Sequence, residues 1–316
     1  MFSTFANVPR CAVMIVAMLC AAAVATSSLA GFNIFSVGGD ATPASIQPTV
    51  DTFRAALGDP NNGNSVGPLV GGRREINWDG GGAVVASPVG TPFTGFQNTR
   101  GGTFTTPGTG FLQTPLNVAD LTNINATYAT EFGTFSPLRI FTPLGSNTMD
   151  ATFFIPGSNG ATPATVAGFG AVFSDVDTAN TTRIEFFDSG NNSILTLNAP
   201  IDSVGDAGLS FIGALANGGE RIARVRITTG NSALGPTDQN GDLVDVVVMD
   251  DFLYSEPLAV PEPMTLLLTM VGLAGSSVLL LRRRRSPSAW KCGHQRCALG
   301  RQHWLYWRRY SNYRIA

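Results

Sequence analysis

Between Gly31 and Val260 the chain has no cysteine, no histidine and no lysine. All four cysteines (Cys11, Cys20, Cys292, Cys297) and both histidines (His294, His303) lie outside this body. The absences exclude disulfide staples within the body, thiol nucleophiles, a histidine-activated serine, and zinc held by histidine or cysteine. A lysine Schiff base and a P-loop lysine are excluded as well. Carboxylates, arginine, hydroxyls, tyrosine and amides remain for chemistry. The near-neutral total of −2 hides a split: the body carries 9 Arg against 21 Asp and Glu, a net −12. From Arg282 onward there are nine Arg, one Lys and no acid, a net +10. Segments of such opposite charge are expected to face different surroundings, and an acidic body disfavours nucleic acid as a partner.

The two ends carry addressing signals. Residues 1–30, "MFSTFANVPRCAVMIVAMLCAAAVATSSLA", have a positive Arg10, an apolar run over 11–25 and small residues at Ser28 and Ala30. This pattern predicts a secretory signal peptide cleaved after Ala30. Leu19 before Cys20 argues against a lipoprotein site. Near the other end, Met264–Leu281 is 18 residues without a charge. At about 1.5 Å per residue it spans about 27 Å, just enough for a transmembrane helix. Arg282, Arg283, Arg284 and Arg285 follow and predict a cytoplasmic flank, which leaves the acidic body outside.

Pro261-Glu262-Pro263, the apolar span and the arginine cluster, in that order, resemble the PEP-CTERM sorting signal of Gram-negative bacteria. The resemblance implies an exosortase as processing partner, Pro261, Glu262 and Pro263 as its recognition element, and Arg282–Arg285 as the stop. It also implies single-pass residence in the inner membrane before processing, then the cell surface or the extracellular space. Carriers of the signal are typically envelope or secreted proteins of species that make exopolysaccharide. One departure stands out: such proteins end soon after the arginines, whereas this chain continues for 31 residues, 286–316. A read-through or frameshifted end without selected structure is the simplest account. A basic tail that binds anionic lipid or nucleic acid is the alternative. Cys292, Cys297, His294 and His303 match no common zinc spacing.

The body itself divides into a loop-rich part, 31–125, and a strand-rich part, 126–258. "TVDTFRAALGDPNNG" is the one helix candidate, capped by Thr49 or Asp51 and ended by Gly58. Short strands fit at Arg74–Trp78 and Gly102–Thr105 between glycine- and proline-rich turns. No period repeats, which argues against a solenoid or propeller. From about Ala126 the strand signals sharpen: "TMDATFFIPG", "AGFGAVFSDVD", "TTRIEFFDSGNNSILTLNAP", "GLSFIGAL", "RIARVRITTG" and "DLVDVVVMDDFLYSEP". In the fifth, Ala223, Val225 and Ile227 share one face, and Arg224 and Arg226 the other. "SGNN" reads as a hairpin turn. Many short strands without amphipathic helices between them predict an all-β fold, an antiparallel β-sandwich or jelly roll. The wording of these segments, with "GRREINWDG", also resembles other PEP-CTERM ectodomains over most of 45–263, for which the resemblance implies fold and export but no reaction.

Three groups of residues are candidate sites. Asp175 and Asp177 of "SDVD", with Asp250 of "MDDF", are candidate ligands of a structural Ca²⁺, since oxygen donors suit that ion. Asp250 shares the parity of Val244, Val246, Val248 and Phe252, so either a bulge resets the phase or an aspartate points inward and needs a partner. Aspartates bonded to backbone or arginine at turns are the plainer account. "DQNGD" (Asp238, Asn240, Asp242) begins like a calcium loop, but Leu243 and Met249 stand where Gly and Glu are required, and it reads as a polar hairpin loop. Trp78, the only tryptophan of the body, is a candidate sugar-stacking ligand residue; the alternative is a packed tryptophan among Arg–acid pairs. A glycosidase would need two carboxylates flanking one bond, and no paired motif points to one. The sequence therefore predicts a non-enzymatic, exported envelope or extracellular-matrix protein with a structural or adhesive role linked to exopolysaccharide. The alternatives are a carbohydrate-binding module, with or without Ca²⁺, and a carboxylate-dependent hydrolase.

Overall fold

The computed structural model describes residues 31–80, 89–236 and 243–260. The predicted signal peptide with Ala30, the sorting motif with its span and arginines, the tail and the "DQNGD" loop lie outside the described residues. Among the described residues no helix is long and apolar enough to cross a membrane. The described residues all belong to one compact unit, which ends at Val260.

The fold is mostly β-sheet. In chain order its elements begin with β1 (Phe32–Gly38), α1 (Pro43–Leu57), β2 (Arg73–Ile76), β3 (Gly102–Thr105), β4 (Gly110–Pro115), α2 (Ala119–Thr122), α3 (Tyr128–Glu131) and β5 (Arg139–Leu144). They continue with β6 (Thr148–Phe154), β7 (Pro163–Thr165), β8 (Gly168–Ser174), β9 (Arg183–Phe187) and β10 (Ser193–Asn198). β11 (Leu209–Ala216), β12 (Arg224–Thr228), β13 (Val248–Ser255) and β14 (Leu258–Ala259) complete the set. One antiparallel sheet runs β1-β11-β8-β13-β5-β4, with β2 also on β13; the other runs β10-β9-β12-β6-β7-β14, with β3 on β6.

The two sheets differ in a way their sequences explain. β6, β9 and β12 alternate buried and less buried residues, so that sheet buries one face. Val225 and Ile227 enter the shared core while Arg224 and Arg226 face out and bond Asp150. β8 and β13 are buried along their whole length, because the other sheet is covered on both faces. Its inner face meets the partner sheet in one large core that includes Phe153, Phe169, Phe186 and Phe252. Its outer face is covered at β1, β11 and β8 by α1. Near β4, β5 and β13 it is covered by Leu121, Tyr128 and Phe132, from or beside α2 and α3.

Helix α1 places Ile46, Val50, Phe53 and Leu57 on one stripe, three to four residues apart, and all four are buried. The Phe53 ring lies where Gly170 and Gly213 pair across β8 and β11; a Cβ on either glycine would press into it. The helix starts earlier than the sequence suggests. Pro48 looks like a stop, yet the helix begins at Pro43, where a missing N–H costs nothing, and continues through Pro48 because its apolar stripe is docked. Its end at Gly58, with φ +104°, is as expected. Strands β1, β4 and β5 lie in stretches that show no clean alternation.

The end of β13 is fixed by a buried ion pair. Arg74 of β2 is fully buried and grips Glu256 with two parallel bonds of 2.7 Å. Its remaining Nη1 donates to the carbonyls of Gly63 (2.8 Å), Ser65 (2.7 Å) and Thr99 (3.2 Å). Asn62 and the Leu69 N–H donate to the same Glu256 carboxylate. Two irregular loops are thus organised around one guanidinium–carboxylate pair. Removing one partner leaves a buried charge alone, which costs about 3–5 kcal/mol. Arg74→Ala is therefore expected to lower the free energy of urea unfolding by that amount; a loss under about 1 kcal/mol would show that the pair is dispensable.

Candidate functional site

Two carboxylate clusters lie on the sheet that is covered on both faces, and both arise where β8 or β13 departs from regular pairing. In β13, Met249 pairs with Phe173 but Phe252 pairs with Ala171, so one extra residue is inserted at Asp250 and Asp251. This bulge resets the phase. Val247 and Met249 face the large core before it, and Phe252 and Tyr254 after it, whereas Val246 and Val248 face outward under α2 and α3.

The bulge is held from both sides. From the core side, Trp78 donates its Nε1–H to the Asp250 carbonyl at 2.8 Å. From the outer side, the Asp250 carboxylate accepts the backbone N–H groups of Phe135 (2.6 Å) and Ser136 (3.1 Å). The Ser136 hydroxyl donates to Asp251 at 2.8 Å. Burial, and then the neighbouring Asp251 charge, push the Asp250 carboxyl well above the usual carboxylate range. Burial pushes Asp251 up to about 6 against the opposing pull of Ser136 and Arg54.

Outside the bulge lies a polar cleft of about 420 Å³ lined by Gln47, Arg54, Asn61, Glu75, Asn77, Arg100, Phe135, Ser136, Pro137 and Asp251. Arg54 reaches from α1 into this cleft. Its Nη2 lies 3.1 Å from Glu75 Oε2 and 3.2 Å from Asp251 Oδ2. One guanidinium nitrogen thus serves both carboxylates.

The second cluster forms where β8 ends. Asp175 has φ +73° and turns the chain out of the strand. Ligand oxygens of Asp175, Asp177 and Asp202 lie within 4.8 Å of one another. Asp202 comes from the loop between β10 and β11, where its two oxygens accept the N–H groups of Val176 (3.1 Å) and Val204 (3.0 Å). A Cβ on Gly208 would collide with the Asp202 carboxylate, so glycine makes its room. Asp245 closes the cluster from a third segment: its Oδ1 accepts the Asp177 N–H at 3.2 Å and its Oδ2 the Thr181 hydroxyl. Burial, then the charges of Asp177 and Glu131, raise Asp175 to about 9. Burial, then Asp202 and Asp245, raise Asp177 to about 6. Asp202 and Asp245 are raised too, each mainly by burial.

Two sequence expectations are corrected. Asp250 is not a ligand beside Asp175 and Asp177; its carboxylate is engaged by Phe135 and Ser136, and Asp202 takes the third place. Asp202 stands in a loop without any motif, so nothing local marks it. Trp78 presents no sugar platform. It is fully buried, stacked on Phe141 at 3.7 Å with an interplanar angle of 3°, and crossed edge-on by Phe96 and Phe252. Tyr128 and Tyr254 are buried as well. Comparison with known protein families, with curated proteins and with solved structures gave no match.

The raised carboxyls fix the sign of the pH dependence. A folded value above the unfolded one near 4 means that the folded chain holds more protons between the two. Stability from Asp251 and Asp177 is full below about pH 4 and lost as pH rises through about 6; from Asp175 it is lost through about 9. Exposed Asp40 and half-buried Asp188 and Glu220 shift downward, and what they contribute is lost only in stronger acid. In chelator, the melting temperature is expected to fall by roughly 2–6 °C from pH 5 to pH 8, and Asp251→Asn to flatten the part of the slope near pH 6. A midpoint that rises over this range would contradict the assignment.

Proposed function

We propose that this chain is an exported, non-enzymatic β-sandwich of jelly-roll type that acts as a structural or adhesive component of the envelope or exopolysaccharide matrix. It is delivered by the signal peptide and held in the inner membrane by 264–281. An exosortase-type partner then processes it at Pro261-Glu262-Pro263.

Several features support this reading. β1 begins at Phe32, two residues past the predicted cleavage site. The Gly31 N–H lies 3.0 Å from Glu220 Oε1, so an amino terminus created there would meet a carboxylate. The compact unit that contains the sheets ends at Val260, immediately before the motif.

The observation that carries the non-enzymatic part is Arg54. A glycosidase needs its two carboxylates free on either side of the scissile bond. Here Glu75 and Asp251 are both bonded to one guanidinium, and α1 packing holds that arginine in place. The cleft's amides (Gln47, Asn61, Asn77) and charged groups suit hydrogen bonding to a polyhydroxylated polymer. With the tyrosines and Trp78 buried, contact by aromatic stacking is disfavoured, which favours many weak polar contacts over a tight lectin site.

Intact-mass measurement of the native protein tests the sorting half: a mature chain that begins at Gly31 and lacks 264–316 is expected. A different start, or retention of those residues, would refute it. Co-sedimentation with the host's purified exopolysaccharide tests the other half, and a protein that stays wholly in the supernatant would refute the adhesive role.

A further inference from the structure

We propose that Asp175, Asp177 and Asp202 form a Ca²⁺ site that ties together two loop segments at one end of the sheets. The site is distinct from the polar cleft and from the bulge, and it does not depend on how the chain is sorted. Acidic side chains gather on many surfaces without binding anything, so the decisive observation is Asp175. It is only 4% exposed, and its Oδ1 is a buried oxygen with no hydrogen-bond partner. A buried carboxylate oxygen left without donor or cation is costly. Asp177 and Asp202, each with an oxygen within 4.8 Å of an oxygen of the Asp175 carboxylate, can add only more negative charge.

Among the described residues no cation offsets that charge. No ion pair reaches Asp175, Asp177 or Asp202 among the described residues. The surroundings are themselves acidic: Glu131 and Asp206 act on Asp175, and Asp245 and Asp206 on Asp177. A cation is the one partner that would satisfy the orphan oxygen and reverse the repulsion together.

Geometry and donor chemistry select calcium. Oxygens bound to one Ca²⁺ sit about 2.3–2.6 Å from it, hence up to about 5 Å from each other, which matches the observed spread. All three donors are carboxylates, the hard oxygen type that suits Ca²⁺. Asp202 is pre-oriented, since each of its oxygens already accepts one backbone N–H and keeps a second lone pair. Asp177 is exposed and leaves a path for the ion and for completing waters. The Ca²⁺ would join the turn after β8 to the loop before β11, with the segment carrying Asp245 attached through the Asp177 N–H. Its affinity is expected in the extracellular range, with a dissociation constant of about 10⁻⁴–10⁻³ M.

The test is thermal denaturation of the purified full chain with Ca²⁺ alone as the probe. Against EDTA, a saturating Ca²⁺ concentration is expected to raise the melting temperature by roughly 5–10 °C, and the same concentration of Mg²⁺ by much less. Asp175→Asn and Asp202→Asn are each expected to abolish the shift. In EDTA Asp175→Asn should melt no lower than the parent chain, since its buried Oδ1 has no hydrogen bond to lose; a merely structural role would instead lower the midpoint. Asp188→Asn, at the exposed β9–β10 turn, should keep the full Ca²⁺ shift. No shift in the parent chain, an equal shift with Mg²⁺, or a shift that survives Asp175→Asn with Asp202→Asn would each overturn the calcium site.

Discussion

The extra residue at Asp250 and Asp251 is the constraint on which the arrangement of β13 depends. Side chains of a strand alternate, so one inserted residue exchanges the two faces from that point on. Before the bulge β13 offers Met249 to the core, and after it Phe252 and Tyr254. Without the insertion, one of these sets would point away from the opposing sheet. A bulge leaves backbone groups unpaired, and the neighbours answer this directly. Trp78 takes the Asp250 carbonyl, and the Asp250 carboxylate takes two N–H groups from the segment ahead of β5. The tryptophan that the sequence offers as a ligand platform is committed to this task, and its ring stack with Phe141 carries the constraint across to β5.

A second constraint is the supply of positive charge. The body has nine arginines and no lysine, and every arginine has a partner. Arg54 serves Asp51, Glu75 and Asp251; Arg73 serves Asp59 and Glu75; Arg74 serves Glu256. Arg183 meets Glu185, and Arg224 and Arg226 share Asp150. Arg100, Arg139 and Arg221 are bonded to Asn64, the Gln113 carbonyl and Thr165. Planar guanidinium groups suit such bidentate and bridging duties. With all nine engaged, none is left for the acids after β8, and the excess of negative charge concentrates there.

Much of this was legible in the sequence, for reasons that can be named. β12 was plain because its outer face is wet, so Arg224 and Arg226 alternate with Val225 and Ile227. The β9–β10 hairpin was plain because "SGNN" supplies its turn, with Asn191 at φ +62°. The parity of Asp250 exposed the conflict in β13, and a bulge was one of its two solutions. β5 was hidden because a strand covered on both faces loses alternation and looks like any short apolar run, and β1, a partly exposed edge strand, shows no clean period. The early start of α1 was hidden by Pro48. In the acidic cluster, Asp175 and Asp177 were visible as neighbours, but Asp202 arrives from 25 residues away through sheet pairing. No local spacing carries that information, whereas Asp250 stands out locally through its parity with Val246, Val248 and Phe252.

The size of the body decides how such a cluster can act. Domains of about 40 residues or fewer usually need a metal or disulfides to fold at all, because they bury too little apolar surface. Here two seven-stranded sheets enclose one large core, α1 adds a second cluster, and Arg74 with Glu256 pins the loops that the sheets do not reach. Such a body has no need of a cation to exist, which fits its lack of cysteine. A charge cluster at its edge therefore acts on the order of the loops that carry it rather than on the fold. The turn after β8, the loop before β11 and the Asp245 segment are joined by two backbone bonds, Asp175 N–H to the Gly208 carbonyl and Asp202 N–H to the Val176 carbonyl, and by the bonds that the Asp202 and Asp245 carboxylates accept. Their repulsion is local, and so is whatever relieves it: the edge can loosen or close while the sheets beneath it stay as they are.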